Sequence, residues 1–199
     1  MVLKLKTQNK TVVEDGRGAK SCERRVAVFA GSFDPFTVGH LDLVKRATGI
    51  FDSLIVLVAQ NANKKNLFDA ETRKAMVEAA VSEIPNVSVV VHGGLTVDFM
   101  KTVGAHYLVR GIRNAADLDA EQAVAWNNRV IYGEKGNIET VLLLSAQEHL
   151  VVSSSLVREL LKCGASKTAD ERKAILSKYV PKNMVSMLLK RFREDYETV

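Results

Sequence analysis

Cysteine is scarce in this chain of 199 residues. Only Cys22 and Cys163 occur, and neither sits in a Cys-x-x-Cys pair. That argues against a zinc site or a disulfide framework and makes a reducing cytoplasm the simplest setting. Long apolar runs are missing as well. No stretch approaches the ~20 residues of a membrane-crossing helix, and no secretory apolar region precedes a small-residue cleavage site. No membrane partner is expected. The chain lacks a Gly-x-x-x-x-Gly-Lys-Ser/Thr loop, and no Gly-x-Gly-x-x-Gly follows its first apolar run. P-loop hydrolysis and dinucleotide redox chemistry are therefore disfavoured. No internal repeat, second domain or carboxylate cage for a metal is seen.

Positive charge is present but misplaced for nucleic acid. The formal net charge is +5, yet residues 1–25 hold seven Lys/Arg against three Asp/Glu, and the remainder is almost balanced at 21 against 20. A nearly neutral body lacks the broad basic footprint of a nucleic-acid binder. Residues 1–24 show no hydrophobic period after Leu5 and are expected to be a mobile extension. Residues 25–199 then form a single domain.

The stretch that organises this domain is Val26-Ala-Val-Phe-Ala-Gly-Ser-Phe-Asp-Pro-Phe-Thr-Val-Gly-His40. Val26 to Ala30 is apolar without alternation, as in a parallel strand covered on both faces. Gly31 allows a sharp turn, Pro35 stops the strand, and an amphipathic helix opens near Gly39 and His40. A helix N-terminus presents unpaired N–H groups and a positive dipole end, so it can hold phosphate. The same pattern also serves as plain α/β scaffold.

Further strands are predicted at Leu54–Ala59, Val87–Val91, Tyr107–Val109 and Glu139–Leu144, with helices between them. Leu41, Val44, Ala47 or Thr48, and Phe51 give the first helix its apolar face. Asp69 caps the second helix and Thr96 a short third one. Ala116 to Tyr132 reads as a long fourth helix. Strands and helices alternate five times before helices take over. That pattern predicts a Rossmann-like α/β fold, a five-stranded parallel sheet in the order 3-2-1-4-5 with a helical C-terminus. Pro181 suits a first helical position. The stripe Met184, Val185, Leu188, Leu189 and Phe192 fits either a helix covering the sheet or one joining subunits.

Three loops at the carboxyl ends of these strands carry candidate anion ligands. Lys64 and Lys65 follow the second strand and fit an anion site or a solvated loop. Arg110 and Arg113 bracket Gly111 and Ile112 after the fourth. Guanidinium groups there suit phosphate oxygens or surface pairing equally. Ser153, Ser154 and Ser155 precede an apolar-periodic run, which fits ordinary N-capping or, through hydroxyls and N–H groups together, a polyphosphate.

Gly31-Ser-Phe-Asp-Pro35 followed by Thr37-Val-Gly-His40 strongly resembles the Thr/His-x-Gly-His signature of the nucleotidyltransferase superfamily. Within it the chain is most similar to the phosphopantetheine adenylyltransferases. Lys64-Lys65, Arg110-Gly-Ile-Arg113, Asn128-Arg129 and Val152-Ser-Ser-Ser-Leu-Val157 carry that likeness onward, across residues 25 to about 192. The resemblance implies transfer of the adenylyl group of ATP, accompanied by Mg²⁺, to the phosphate of 4′-phosphopantetheine. Dephospho-coenzyme A and pyrophosphate are the products, with the metal held by phosphates and water.

The resemblance also implies roles. His40 is catalytic. Ser32, Lys64, Thr96 and Arg110 meet phosphopantetheine. ATP meets Ser32, Phe33 and His40, then Gly111, Ile112, Arg113 and Glu121, and finally His149, Leu150, Val151, Val152 and Ser153 to Ser155. A homohexamer inhibited by coenzyme A follows on the same ground. The chain departs from the family at Ala120, where tyrosine is common, at His149, where tryptophan is, and at Ala146, where proline is. Sibling enzymes such as nicotinamide mononucleotide adenylyltransferase or glycerol-phosphate cytidylyltransferase share the first motif. Two further readings stand beside them: a class I aminoacyl-tRNA synthetase fragment, disfavoured by the missing Lys-Met-Ser-Lys-Ser loop, and a nucleotide-binding module without chemistry.

Overall fold

The structure is a computed structural model that describes residues 24–60, 65–133, 138–163 and 168–196. The expected N-terminal extension, except for Arg24, and Lys64 lie outside the described residues. Five strands, β1 (Val26–Gly31), β2 (Ser53–Ala59), β3 (Val87–His92), β4 (Tyr107–Ile112) and β5 (Glu139–Leu144), form one sheet in the order β3-β2-β1-β4-β5. Every neighbouring pair is parallel. The predicted order is the observed one.

The unalternating strands lie between two layers of helix. On β1, Ala27 and Phe29 point into one apolar cluster and Val28 and Ala30 into another. The first cluster collects α1 (Val38–Thr48), α2 (Ala70–Val81), α5 (Ser154–Cys163), α6 (Ala169–Leu176) and α7 (Val185–Tyr196). The second is closed by α3 (Thr96–Val103) through Val97 and Met100. The remaining helix, α4 (Ala115–Tyr132), has no buried residue. Period 2 on the strands and period 3.6 on the helices together decide which side chains meet.

Several local expectations are revised. β1 ends at Gly31, ahead of Pro35, which follows Asp34 in a cis peptide. Leu43, absent from the predicted apolar face of the first helix, is buried with Val44 and Ala47. Thr96 is not the cap of α3: Leu95 occupies that position and makes no side-chain cap bond. Pro181 does not open a helix but flanks a 3₁₀ turn, Lys182–Met184, that leads into α7. Met184, Val185, Leu188 and Phe192 are buried in the first cluster, so the C-terminal stripe covers the domain's own core.

Helix α1 follows β1 on one face, and α3 precedes β4 on the other. The chain therefore changes direction between β1 and β4. In open parallel sheets the crevice beyond the strand ends at such a switch point receives ligands.

Candidate active site

The end of β1 and the start of α1 show why this stretch has its residue types. Thr37 caps α1. Its Oγ1 accepts the His40 N–H at 3.3 Å, while the Thr37 N–H donates to His40 Nδ1 at 3.1 Å. The two residues thus make a reciprocal capping box in which histidine replaces the usual glutamate. The bond fixes the tautomer. A backbone N–H can only donate, so Nδ1 accepts and the ring proton sits on Nε2. Phe29, Phe33 and Phe36 surround the imidazole at centroid distances of 6.3, 5.1 and 5.3 Å. Burial among them, then the fields of Arg113 and Arg110, push its pKa down to about 4. His40 is neutral at physiological pH and remains a hydrogen-bond donor.

Phe33 reaches this position from a left-handed backbone, φ 47°, which is strained for a residue with a side chain. Its ring folds back over Gly31, where a Cβ would lie 2.9 Å from the ring edge. Gly31 therefore serves the aromatic wall. Gly111 serves packing in the same way: a Cβ there would collide with Leu43 Cδ1 of α1. The close approach that Gly111 permits is that of α1 to β4.

A cavity of about 380 Å³ opens at the switch point. Its walls come from the end of β1 (Gly31, Ser32, Phe33), the start of α1 (Thr37, Gly39, His40), the end of β4 (Arg110, Gly111, Arg113), one face of α4 (Asp117, Ala120, Glu121), Ser145 after β5, and the approach to α5 (His149, Val152, Ser153, Ser154). The leading ends of α1 and α5 both meet it. Of the predicted ATP contacts, Ile112, Leu150, Val151 and Ser155 do not line it, and neither does Thr96, predicted to meet phosphopantetheine. Ile112 is buried, while Leu150, Val151 and Ser155 are exposed. Thr37, Gly39, Asp117 and Ser145 line it without having been proposed as contacts. The Thr37–His40 spacing of three was the available signal for the first of them.

Both arginines are engaged. Arg110 grips Glu121 with Nε and Nη2 at 2.8 and 2.5 Å and donates Nη1 to the Ala30 carbonyl at 2.7 Å. Arg113 holds Asp117 at 2.9 and 3.2 Å. That pairing raises the arginine's pKa and lowers the carboxyl's. The serine hydroxyls are likewise committed. Ser153 Oγ accepts the Leu156 N–H, Ser154 Oγ donates to the Pro35 carbonyl, and Ser155 Oγ accepts from Arg158. What α5 offers an anion is mainly its N-terminal backbone and dipole rather than three hydroxyls.

A second cavity of about 200 Å³ shares Ala30 and Arg110 with the first and is otherwise mostly apolar, lined by Leu95, Val97, Leu108, Val124 and Ile131 with Thr96 and Asn128. The two cavities run along one face of α4. Asp117, Ala120 and Glu121 serve the first, and Val124, Asn128 and Ile131 continue at helical spacing into the second. Arg110 stands at the junction. Among the described residues no group of three His, Cys, Asp or Glu side chains gathers as a metal-ligand set, and no helix there is long and apolar enough to cross a membrane.

Comparison with known proteins agrees with this architecture. Residues 28–160 match the cytidylyltransferase-like family. A phosphopantetheine adenylyltransferase of Levilactobacillus brevis is 45% identical over 163 residues, 82% of this chain and 96% of that protein. Another, from Latilactobacillus sakei, is 48% identical over 141 residues, 70% of this chain and 84% of its own length. The solved structure of Plasmodium falciparum nicotinic acid mononucleotide adenylyltransferase, at 16% identity, superposes with a TM-score of 0.58 over 88% of this chain and 97% of that one, a likeness of fold. With the capping-box histidine at the switch point and these identities over most of both chains, the protein belongs to the phosphopantetheine adenylyltransferase family of cytidylyltransferase-like nucleotidyltransferases.

Proposed function

We propose that this chain transfers the adenylyl group of ATP to the phosphate of 4′-phosphopantetheine, the step of coenzyme A synthesis that yields dephospho-coenzyme A. An oxygen of the acceptor phosphate attacks the α-phosphorus in line. The bond from that phosphorus to the oxygen bridging the β-phosphorus breaks, and pyrophosphate leaves with the electron pair. The nucleophile is already an anion, so catalysis is positioning and charge stabilisation. The observation that carries this reading is the fixed Nε2–H tautomer of His40 beside a cavity met by two helix N-termini and two guanidinium groups. That N–H stabilises charge on the α-phosphate oxygens.

Arg110, Lys64 and Ser32 hold the acceptor phosphate. The apolar second cavity, with Thr96 on its wall, takes the uncharged arm behind that phosphate. Arg113 and the start of α5, at Ser153 and Ser154, hold the leaving pyrophosphate. Phe33, Gly111, Glu121, His149 and Val152 frame the nucleotide. Ile112, Leu150, Val151 and Ser155, which do not face the cavity, have no direct contact in this reading. ATP enters as its Mg²⁺ complex. The carboxylates on the cavity wall, Asp117 and Glu121, are held by arginines, so a bound Mg²⁺ would be held mainly by phosphate oxygens and water and would offset their charge.

The same reading includes a cytoplasmic homohexamer subject to inhibition by coenzyme A at this site. Support for self-association comes from α4. The face opposite the cavities exposes Trp126 by 71% and Val130 by 80%, one turn apart.

Pyrophosphate release from MgATP tests the proposal, measured with phosphopantetheine, nicotinamide mononucleotide or no acceptor, for the wild type and His40→Ala. Release should require phosphopantetheine and fall on the order of 10²–10³-fold in the variant, the worth of one such donor. Release with another acceptor would change the substrate assignment. ATP binding with no release would make the protein a non-catalytic module.

A further inference from the structure

Two consecutive residues between β2 and α2 are held in an unusual way. Leu67 and Phe68 belong to no helix or strand, yet three side chains, two of them distant in sequence, take all four of their backbone polar groups. The Asp34 carboxylate accepts the Leu67 N–H at 2.7 Å and the Phe68 N–H at 3.0 Å. Tyr196 near the end of α7 donates its hydroxyl to the Leu67 carbonyl at 2.7 Å. Arg73 of α2 donates Nε to the Phe68 carbonyl at 3.1 Å. The same guanidinium donates Nη1 to the Ala59 carbonyl at the end of β2, 3.1 Å away, and to the Ser32 carbonyl after β1.

These bonds are costly to place. Asp34 and Arg73 are only 3% and 1% exposed. A buried charge is retained only with compensating partners. Burial lowers the pKa of Arg73, an effect that Asp34 and Asp69 oppose. A core that needed only volume would have used a leucine at position 73. Arginine supplies something leucine cannot: a planar fork whose donors stand at fixed angles. Here the fork spans Ser32 after β1 and both Ala59 and Phe68 after β2.

We infer that Asp34, Arg73 and Tyr196 act as a positioning clamp that sets the distance between the β1–α1 turn and the segment entering α2, and with it the alignment of acceptor phosphate against ATP. This rests on the proposed function, in which the acceptor phosphate lies on the β2 side. None of the three residues touches a substrate. They fix the backbone on either side of the groups that do. Tyr196 gives the C-terminal helix a part in the site, since its ring stacks on the buried Phe192 at 5.3 Å and carries the hydroxyl to Leu67.

Steady-state kinetics of Tyr196→Phe, Arg73→Lys and Lys64→Ala, with melting temperatures, test the clamp. Tyr196 is 48% exposed, so its variant loses a hydroxyl without disturbing the core. The expected result for Tyr196→Phe is a KM for phosphopantetheine raised about 2- to 10-fold, the worth of one hydrogen bond. Its KM for ATP stays at the wild-type value, and its melting temperature falls by no more than the few degrees that one hydrogen bond is worth. Arg73→Lys keeps the charge but loses the fork, and should lower kcat. In a Lys64→Ala background the Tyr196→Phe increment should vanish, because the group being positioned is gone. Wild-type acceptor KM in Tyr196→Phe, while Lys64→Ala raises it, would overturn the clamp and leave the proposed function standing. Equal increases for both substrates together with a melting temperature lowered beyond that would also overturn it, by showing a purely structural role. An unchanged acceptor KM in Lys64→Ala would overturn the acceptor-side assignment and the clamp together.

Discussion

The Thr37 amide donates to His40 Nδ1 at 3.1 Å, so the cap that starts α1 also decides which nitrogen of the histidine carries its proton. One interaction serves helix initiation and prepares a donor for phosphate. Thr37→Val keeps the shape and the backbone N–H but removes the hydroxyl that accepts the His40 N–H. The expected cost is about 1 kcal/mol of stability, typical of a lost cap, with a lower kcat as the imidazole loses half of its box. Thr37→Ser should recover both. Denaturant unfolding and turnover on the three proteins check this. An active, fully stable Thr37→Val would remove the hydroxyl from the account.

The depressed pKa of His40 makes a pH prediction with a definite sign. Burial first, then Arg113 and Arg110, take it from an ordinary 6.5 to about 4. The unfolded chain therefore binds this proton before the folded one does. The contribution of neutral His40 to stability is full above pH 6.5 and is lost as the pH falls from there toward 4. Nitrogen NMR of the free protein should show an Nε2–H imidazole persisting below pH 5. Unfolding midpoints should fall between pH 6.5 and 4 more steeply in the wild type than in His40→Gln. A titration midpoint near 6.5 would contradict both the burial and the fixed tautomer.

Much of this fold is legible from periodicity. Short apolar runs alternating with helical periods point to a parallel α/β sheet, and β1 and β2 are the runs that prove covered on both faces. The chemistry of the strand ends was partly legible, because glycine, arginine and serine cluster there. What periodicity does not carry is pairing between distant residues. Asp34 reaches the loop before α2, and Arg73 reaches Ser32 after β1, through bonds that join residues 34 and 41 positions apart, and neither stood out. The serines illustrate the same gap. Their clustering suggested hydroxyl ligands, but Pro35, reachable only through the fold, engages one of them, and Arg158, one helical turn on, engages another. The apolar stripe of α7 was ambiguous until its partners in the core were known.

Arg110 spans two partners, the Glu121 carboxylate and the Ala30 carbonyl, at the junction of the two cavities. Lysine in its place would keep the charge but present no planar fork. Arg110→Lys is expected to lower kcat/KM for phosphopantetheine by roughly one to two orders of magnitude, as for hydrogen bonds to charged groups of about 1.5–3 kcal/mol. ATP affinity and melting temperature should change little, because the residue is partly exposed and its charge is retained. Isothermal titration with each substrate separates the two effects. A loss confined to ATP would move Arg110 to the nucleotide side.

Gly111 offers a test of whether packing or ligand approach requires the bare backbone. A Cβ there would meet Leu43 Cδ1, and Leu43 is a buried residue of the helix that begins with the Thr37–His40 box. Gly111→Ala should push α1 away from β4, costing about 1–3 kcal/mol as overpacking does. It should also lower kcat, because His40 moves with α1 while Arg110 stays on β4. Leu43→Val removes the colliding atom. If packing is the reason for the glycine, Gly111→Ala/Leu43→Val should regain both stability and turnover relative to Gly111→Ala alone. If instead ATP must approach the Gly111 backbone, the second change will restore stability without restoring the KM for ATP. The double variant thus separates a glycine kept for the α1–β4 contact from one kept for the nucleotide.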